Sequence, residues 1–138
     1  MEKKDLINKK SKQQKKLSSK EAELDQLDDK ISQLKEIKTK LVNLKDEVKT
    51  IKKNVRSMVD DEHDYWKGDL KEDWEDVAKN DLIDEGLKAY IEKVDNNLDE
   101  VIIKIMELEN KKYSTEGIIG SLKSGINWLG TQIETLFN

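Results

Sequence analysis

Apolar residues recur along this chain in steps of three and four. From Leu24 the series runs through Leu27, Ile31, Leu34, Ile37, Leu41, Leu44, Val48, Ile51, Val55 and Met58. The mean step of about 3.4 residues is nearer the 3.5-residue repeat of a coiled-coil seam than the wider stripe of an ordinary surface helix. Lys, Asp, Glu, Gln and Asn fill most of the positions between. Two consecutive steps of three, Ile31 to Leu34 to Ile37, break the strict heptad and predict a local overwinding. Glu21 to Val59 predicts a helix of roughly 58 Å at 1.5 Å per residue. A stripe this narrow does not hold a lone helix together, so the helix needs something to pack against.

A second series takes in Leu70, Trp74, Val77, Ala78, Ile83, Leu87, Tyr90, Ile91, Val94, Leu98, Val101, Ile105 and Leu108. It weakens around Gly86, where Asn80, Asp81, Asp84 and Glu85 crowd the pattern, and a bend or loosening is expected there. Ile102, Ile103 and Met106 widen the apolar face beyond what one antiparallel neighbour covers. Lys111 and Lys112 suit a helix C-terminus, and Ser114-Thr115-Glu116-Gly117 resembles a break or a fresh cap. A third series follows, Ile118, Leu122, Ile126, Leu129, Ile133 and Leu136, flanked by Ile119 and Trp128. Glycines at 117, 120, 125 and 130 cost about 1 kcal/mol each relative to alanine in a helix. Small residues beside an apolar stripe suit close docking onto another helix.

Between the first two series lies Tyr65-Trp66-Lys67-Gly68. Gly68 is the first glycine of the chain, which has no proline. Glycine takes the left-handed conformation that ends a helix, and tryptophan can cover the open end of a helical turn. The second helix is expected to start at Gly68 or Asp69, with Asp69, Glu72 and Asp73 complementing its dipole. The pattern therefore predicts an all-α chain in three parts. Residues 1–20 form a basic helical arm, and residues 21–112 an elongated antiparallel helical hairpin, coiled-coil-like, with its turn at about 60–68. Residues 113–138 form a C-terminal helical extension.

Composition narrows what such a chain does. Of its 138 residues 41% are charged, yet 26 basic against 30 acidic residues leave a net charge of only −4, and mean hydropathy is −0.86. High Lys, Glu, Asp and Leu content with helical periodicity is the composition of long helices rather than of a thick-cored globule. Residues 1–20 hold eight lysines against Glu2 and Asp5. No aromatic residue interleaves with them and the remainder is acidic, which argues against nucleic acid as a partner. A frayed, solvated helix start is expected there. The tail from Tyr113 carries only Glu116, Lys123 and Glu134. A membrane-surface helix carries more Lys or Arg, so docking on a partner or a second copy is the expectation. The candidate docking residues are Ile102, Met106, Ile118, Leu122, Ile126, Trp128, Leu129, Ile133 and Leu136.

Site chemistry is sparse. There is no cysteine, no phosphate-cradling glycine loop and a single histidine, His63, in Asp60-Asp61-Glu62-His63-Asp64. The spacing of these acids fits no EF-hand loop. Carboxylates on a thin helical hairpin lack the desolvated pocket that catalysis needs. No catalytic residue, cofactor or metal is assigned. The longest apolar run is three residues, as at Val101-Ile102-Ile103, so no membrane span is expected. No secretory leader is visible, so export would need a route independent of a cleaved signal peptide.

A helical hairpin with Trp66-Lys67-Gly68 in its turn, and a second aromatic, Trp74, two helical turns on, resembles the ESAT-like Trp-x-Gly superfamily of Gram-positive type VII secretion. The long first helix and apolar C-terminal extension look like its YwqH-like branch, encoded beside LXG toxins. The resemblance covers about residues 20–138. It implies a non-enzymatic adaptor or targeting chaperone that binds the helical LXG domain of a toxin, often with a second small helical protein. The implied location is the cytoplasm before export, or outside the cell together with its partner. Tyr65 and Asp69 have the spacing of the family's export signal but overlap the turn, so the partner is expected to supply that signal. The residues themselves leave two other readings open: a structural coiled-coil homo-oligomer or scaffold, and a nucleic-acid-binding protein acting through the basic arm.

Overall fold

A computed structural model describes residues 2–60 and 69–137, the side chains of 59, 60, 69–71 and 137 excepted. The chain is all-α, a helical hairpin in its connectivity, with no strand among the described residues. Helix α1 spans Lys3–Asp60 and α2 Asp69–Asp76. A π-helical stretch, Val77–Leu87, leads into α3, Lys88–Phe137. Trp66, Gly68 and the turn expected at about 60–68 lie outside the described residues, apart from Asp60 at the end of α1.

The chain divides into two compact units, Met1–Leu34 with Lys104–Asn138, and Lys35–Ile103. In the first unit α1 and α3 run antiparallel. Lys10 lies by Gly130 and Gln13 by Gly125, and Asp28 pairs with Lys112. Leu27, Ile31 and Leu108 form its core cluster, with Leu34 packed against them. Leu6, Ile105, Thr115, Ile119 and Leu129 are also buried. The expected frayed start is absent: α1 is helical from Lys3, and burial of Leu6 secures that end. The second unit is antiparallel too. Lys45 pairs with Asp95, and Arg56 shares a cleft with Lys79, Asn80, Ile83 and Asp84. Val48, Ala78, Ile83 and Val94 are its buried residues.

Three expectations are corrected. First, α1 needs no overwinding at Ile37. Its inward positions follow one heptad frame through Leu27, Ile31, Leu34, Leu41, Lys45, Val48, Lys52 and Val55, buried or half-buried, with Lys38 of that frame exposed. Lys45 and Lys52 occupy seam positions, where long lysine stems can pack while the charge stays at the edge, as the Lys45 ammonium does on Asp95. Ile37, Ile51 and Met58, expected in the seam, are 44%, 50% and 55% exposed.

Second, α3 runs unbroken through Ser114–Gly117. Thr115, buried at a seam position, donates its hydroxyl to the Lys111 carbonyl at 2.9 Å. That bond satisfies the group without ending the helix. The tail's seam keeps the expected Leu122, Ile126, Leu129 and Ile133 but takes Ile119 in place of Ile118 and leaves Leu136 exposed. Thr115, Ile119, Leu122, Ile126, Leu129 and Ile133 face inward, whereas Ile118 is exposed.

Third, the weak pattern near Gly86 is a change of helix type. The buried pair Ala78 and Ile83 are five residues apart, which an α-helix would turn about 140° away from each other. The wider π turn, with its i to i+5 bonds, brings them to one face. Val77 and Tyr90, expected in this stripe, point to solvent.

The seam assignment is tested by truncating adjacent isoleucines. Ile119→Ala should cost about 2–5 kcal/mol in urea unfolding and Ile118→Ala less than about 1 kcal/mol. Equal costs would argue against Ile119 replacing Ile118 in the seam.

Candidate interaction surfaces

The described residues contain no group of His, Asp or Glu able to hold a metal ion, and no helix long and apolar enough to cross a membrane. What they offer is surface, in three places.

The first is a row on α1 in the second unit. Ile37, Leu44, Ile51 and Met58 are spaced seven residues apart, so they line one edge beside the seam. Leu44 is half-buried; the other three are exposed. The sequence pattern merges this row with the inward row of Leu34, Leu41, Val48 and Val55. Two interleaved seven-residue spacings are the signal that separates them.

The second is the outer face of α3 in the first unit. Gly117 and Gly120 are exposed, and nothing lies within 4 Å of where a Cβ would stand on either. Gly125 and Gly130 differ. A Cβ on Gly125 would meet Gln13 Oε1 at 2.8 Å, and one on Gly130 would meet Lys10 Nζ at 3.3 Å. Those two glycines admit side chains from α1. Gln13 Oε1, closed off from solvent, has no hydrogen-bond partner among the described residues and lies over the Gly125 backbone.

The third is the edge of the first unit on which Trp128 stands. Lys10 and Leu17 share a cleft with Lys123, Ile126 and Gly130. Lys9 and Lys16, on the other side of Gln13, therefore flank the opposite edge of α1. On α3 that same edge presents Ile118, Ser121, Gly125, Trp128 and Leu136. Trp128 is 56% and Leu136 61% exposed.

The candidate docking residues thus separate. Leu129, 1% exposed, is taken up by the chain's own seam. Leu122, Ile126 and Ile133 share that seam and are half-buried, as is Ile102 in the second unit. Met106, Ile118, Trp128 and Leu136 remain exposed. Trp74, the one described member of the turn motif, is half-buried.

Lys112 and Asp28 tie the two helices of the first unit electrostatically. Lys112 Nζ lies 2.8 Å from Asp28 Oδ1 and 3.9 Å from Glu116 Oε1. The hydrogen bond to Asp28, then its charge, hold the Lys112 ammonium above the ordinary lysine range. Compared with known proteins, the chain matches no family model, no curated protein and no solved structure.

Two measurements check these placements. Gly117→Ala and Gly120→Ala should each stabilise the isolated chain by up to about 1 kcal/mol in urea unfolding. Gly125→Ala should gain less, because the new methyl must displace Gln13. Lys112, with its affinity for the proton raised by folding, stabilises the fold while protonated; that contribution is lost as pH rises through the raised value. Asp28→Asn should therefore lower the unfolding midpoint at neutral pH. The difference from wild type should close in strongly alkaline solution, above the ordinary lysine value of about 10.4.

Proposed function

We propose that the chain is a non-enzymatic adaptor that binds the helical LXG domain of a toxin and targets it for type VII export. The observation that carries this reading is the row of Ile37, Leu44, Ile51 and Met58. Its seven-residue spacing suits knobs-into-holes packing by a further helix, and its exposure leaves it open to one. Apolar anchors in register along a helix are the usual means by which an amphipathic helix is held. The resemblance around Trp66-Lys67-Gly68 supplies the class of partner, a second small helical protein included. On this reading the chain resides in the cytoplasm before export, or leaves the cell with its partner.

The same row would equally accept a second copy of this chain, as in a structural coiled-coil homo-oligomer. Both readings are tested by Ile37→Glu with Ile51→Glu, two exposed positions whose change leaves the seam intact. The full chain is co-expressed with the N-terminal domain of the neighbouring toxin. Wild type is expected to co-elute with it, and the double variant to elute alone while keeping wild-type helicity and melting. A double variant that still co-elutes would remove the row from the reading. A wild-type homodimer in light scattering that ignores the toxin domain would replace the adaptor with the homo-oligomer.

A further inference from the structure

The near absence of charge in residues 113–138 argues, from sequence alone, against a lipid-facing role for the tail. Folding changes its surroundings. The antiparallel pairing lays residues 6–20 of α1 along residues 117–133 of α3. Together these stretches contain seven lysines (9, 10, 12, 15, 16, 20 and 123) and no Asp or Glu. Lys9, Lys12, Lys15 and Lys16 are exposed and form no ion pair among the described residues. On the Trp128 edge, Lys9, Lys16 and, further round, Lys12 stand along the stretch of α3 that carries Gly125 and Trp128; Ile118 and Leu136 lie toward its two ends, where Glu23 and Asp5 share the same edge of α1. This excess is local, since the whole chain is net −4.

We propose that this edge of the first unit seats on an anionic lipid surface. The three lysines of this edge match the negative potential of such a bilayer, each worth about 1 kcal/mol near its surface. The exposed Trp and Leu supply the apolar contact that sinks into the headgroup boundary, and the lysine stems lie along it while their ammonium groups meet phosphate. The residues between Ile118, Trp128 and Leu136 separate this occupant from a helical protein. Ile118 and Trp128 share one heptad frame, but Ser121, Gly125, Gln132 and Thr135 fill its other positions, so unlike the row on α1 in the second unit the edge offers no continuous apolar seam for knobs-into-holes packing. A fluid surface requires no register. The inference is independent of the adaptor reading, which uses the other unit.

The test is sedimentation of the full chain with vesicles at about 0.15 M ionic strength. One set mixes phosphatidylglycerol with phosphatidylcholine and the other is phosphatidylcholine alone. Wild type should partition onto the anionic set and not onto the zwitterionic set. Lys9→Gln, Lys12→Gln and Lys16→Gln combined should lower that partition roughly a hundredfold while leaving helicity unchanged. Trp128→Ala should weaken it with every charge kept. Equal partition onto both sets, no partition onto either, or a triple variant that binds as wild type does would overturn the proposal. Salt-sensitive retention on duplex DNA without vesicle binding would reassign the lysines to nucleic acid.

Discussion

Everything in this chain depends on a narrow apolar seam between two antiparallel helices. A sequence that is 41% charged has few apolar groups to bury, and those that are buried line that seam. The cost appears at Lys45, Lys52 and Thr115, polar residues that stand where a hydrophobe would otherwise pack. Each is accommodated by a specific means. Long lysine stems can lie along the seam with the charge at its edge, and the threonine hydroxyl bonds back to its own helix. Because one row per helix suffices to hold the pair, any additional apolar row is surplus to folding. Ile37, Ile51 and Met58 are surplus in this sense, and so are Trp128 and Leu136.

The π-helical stretch is a second consequence of the seam. The apolar pattern reaches Ala78 and resumes at Ile83, a gap that α geometry cannot place on one face. Widening the turn keeps both residues buried. Gly86 sits in that stretch with its missing Cβ 3.1 Å from the Asp81 carbonyl, five residues back, a close approach that glycine tolerates. The loosening expected from Gly86 and its acidic neighbours is thus a regular change of hydrogen-bonding pattern rather than a loss of helix.

The four tail glycines are alike in sequence and unlike in the fold. Two receive side chains from α1, and two face open space. Charge behaves in the same way. Lysines that read as a solvated arm become one wall of an edge whose other wall is the uncharged tail. The fold creates a surface from two stretches that are each unremarkable alone.

Sequence by itself determined that the chain is all-α and that two long stripes pack antiparallel, because periodicity and the lack of proline are properties of local chain order. The repeat also pointed to the core positions Leu27, Ile31, Val48, Val94 and Leu108. It left the choice between neighbours such as Ile118 and Ile119 to the tertiary structure, as it did the separation of the Ile37 row from the seam. An apolar side chain beside a seam has the same spacing as one within it, and only the position of the opposing helix tells them apart. The lysine-lined edge was illegible for the same reason. Its two walls are more than a hundred residues apart in sequence, and their adjacency is a product of the register that the seam imposes.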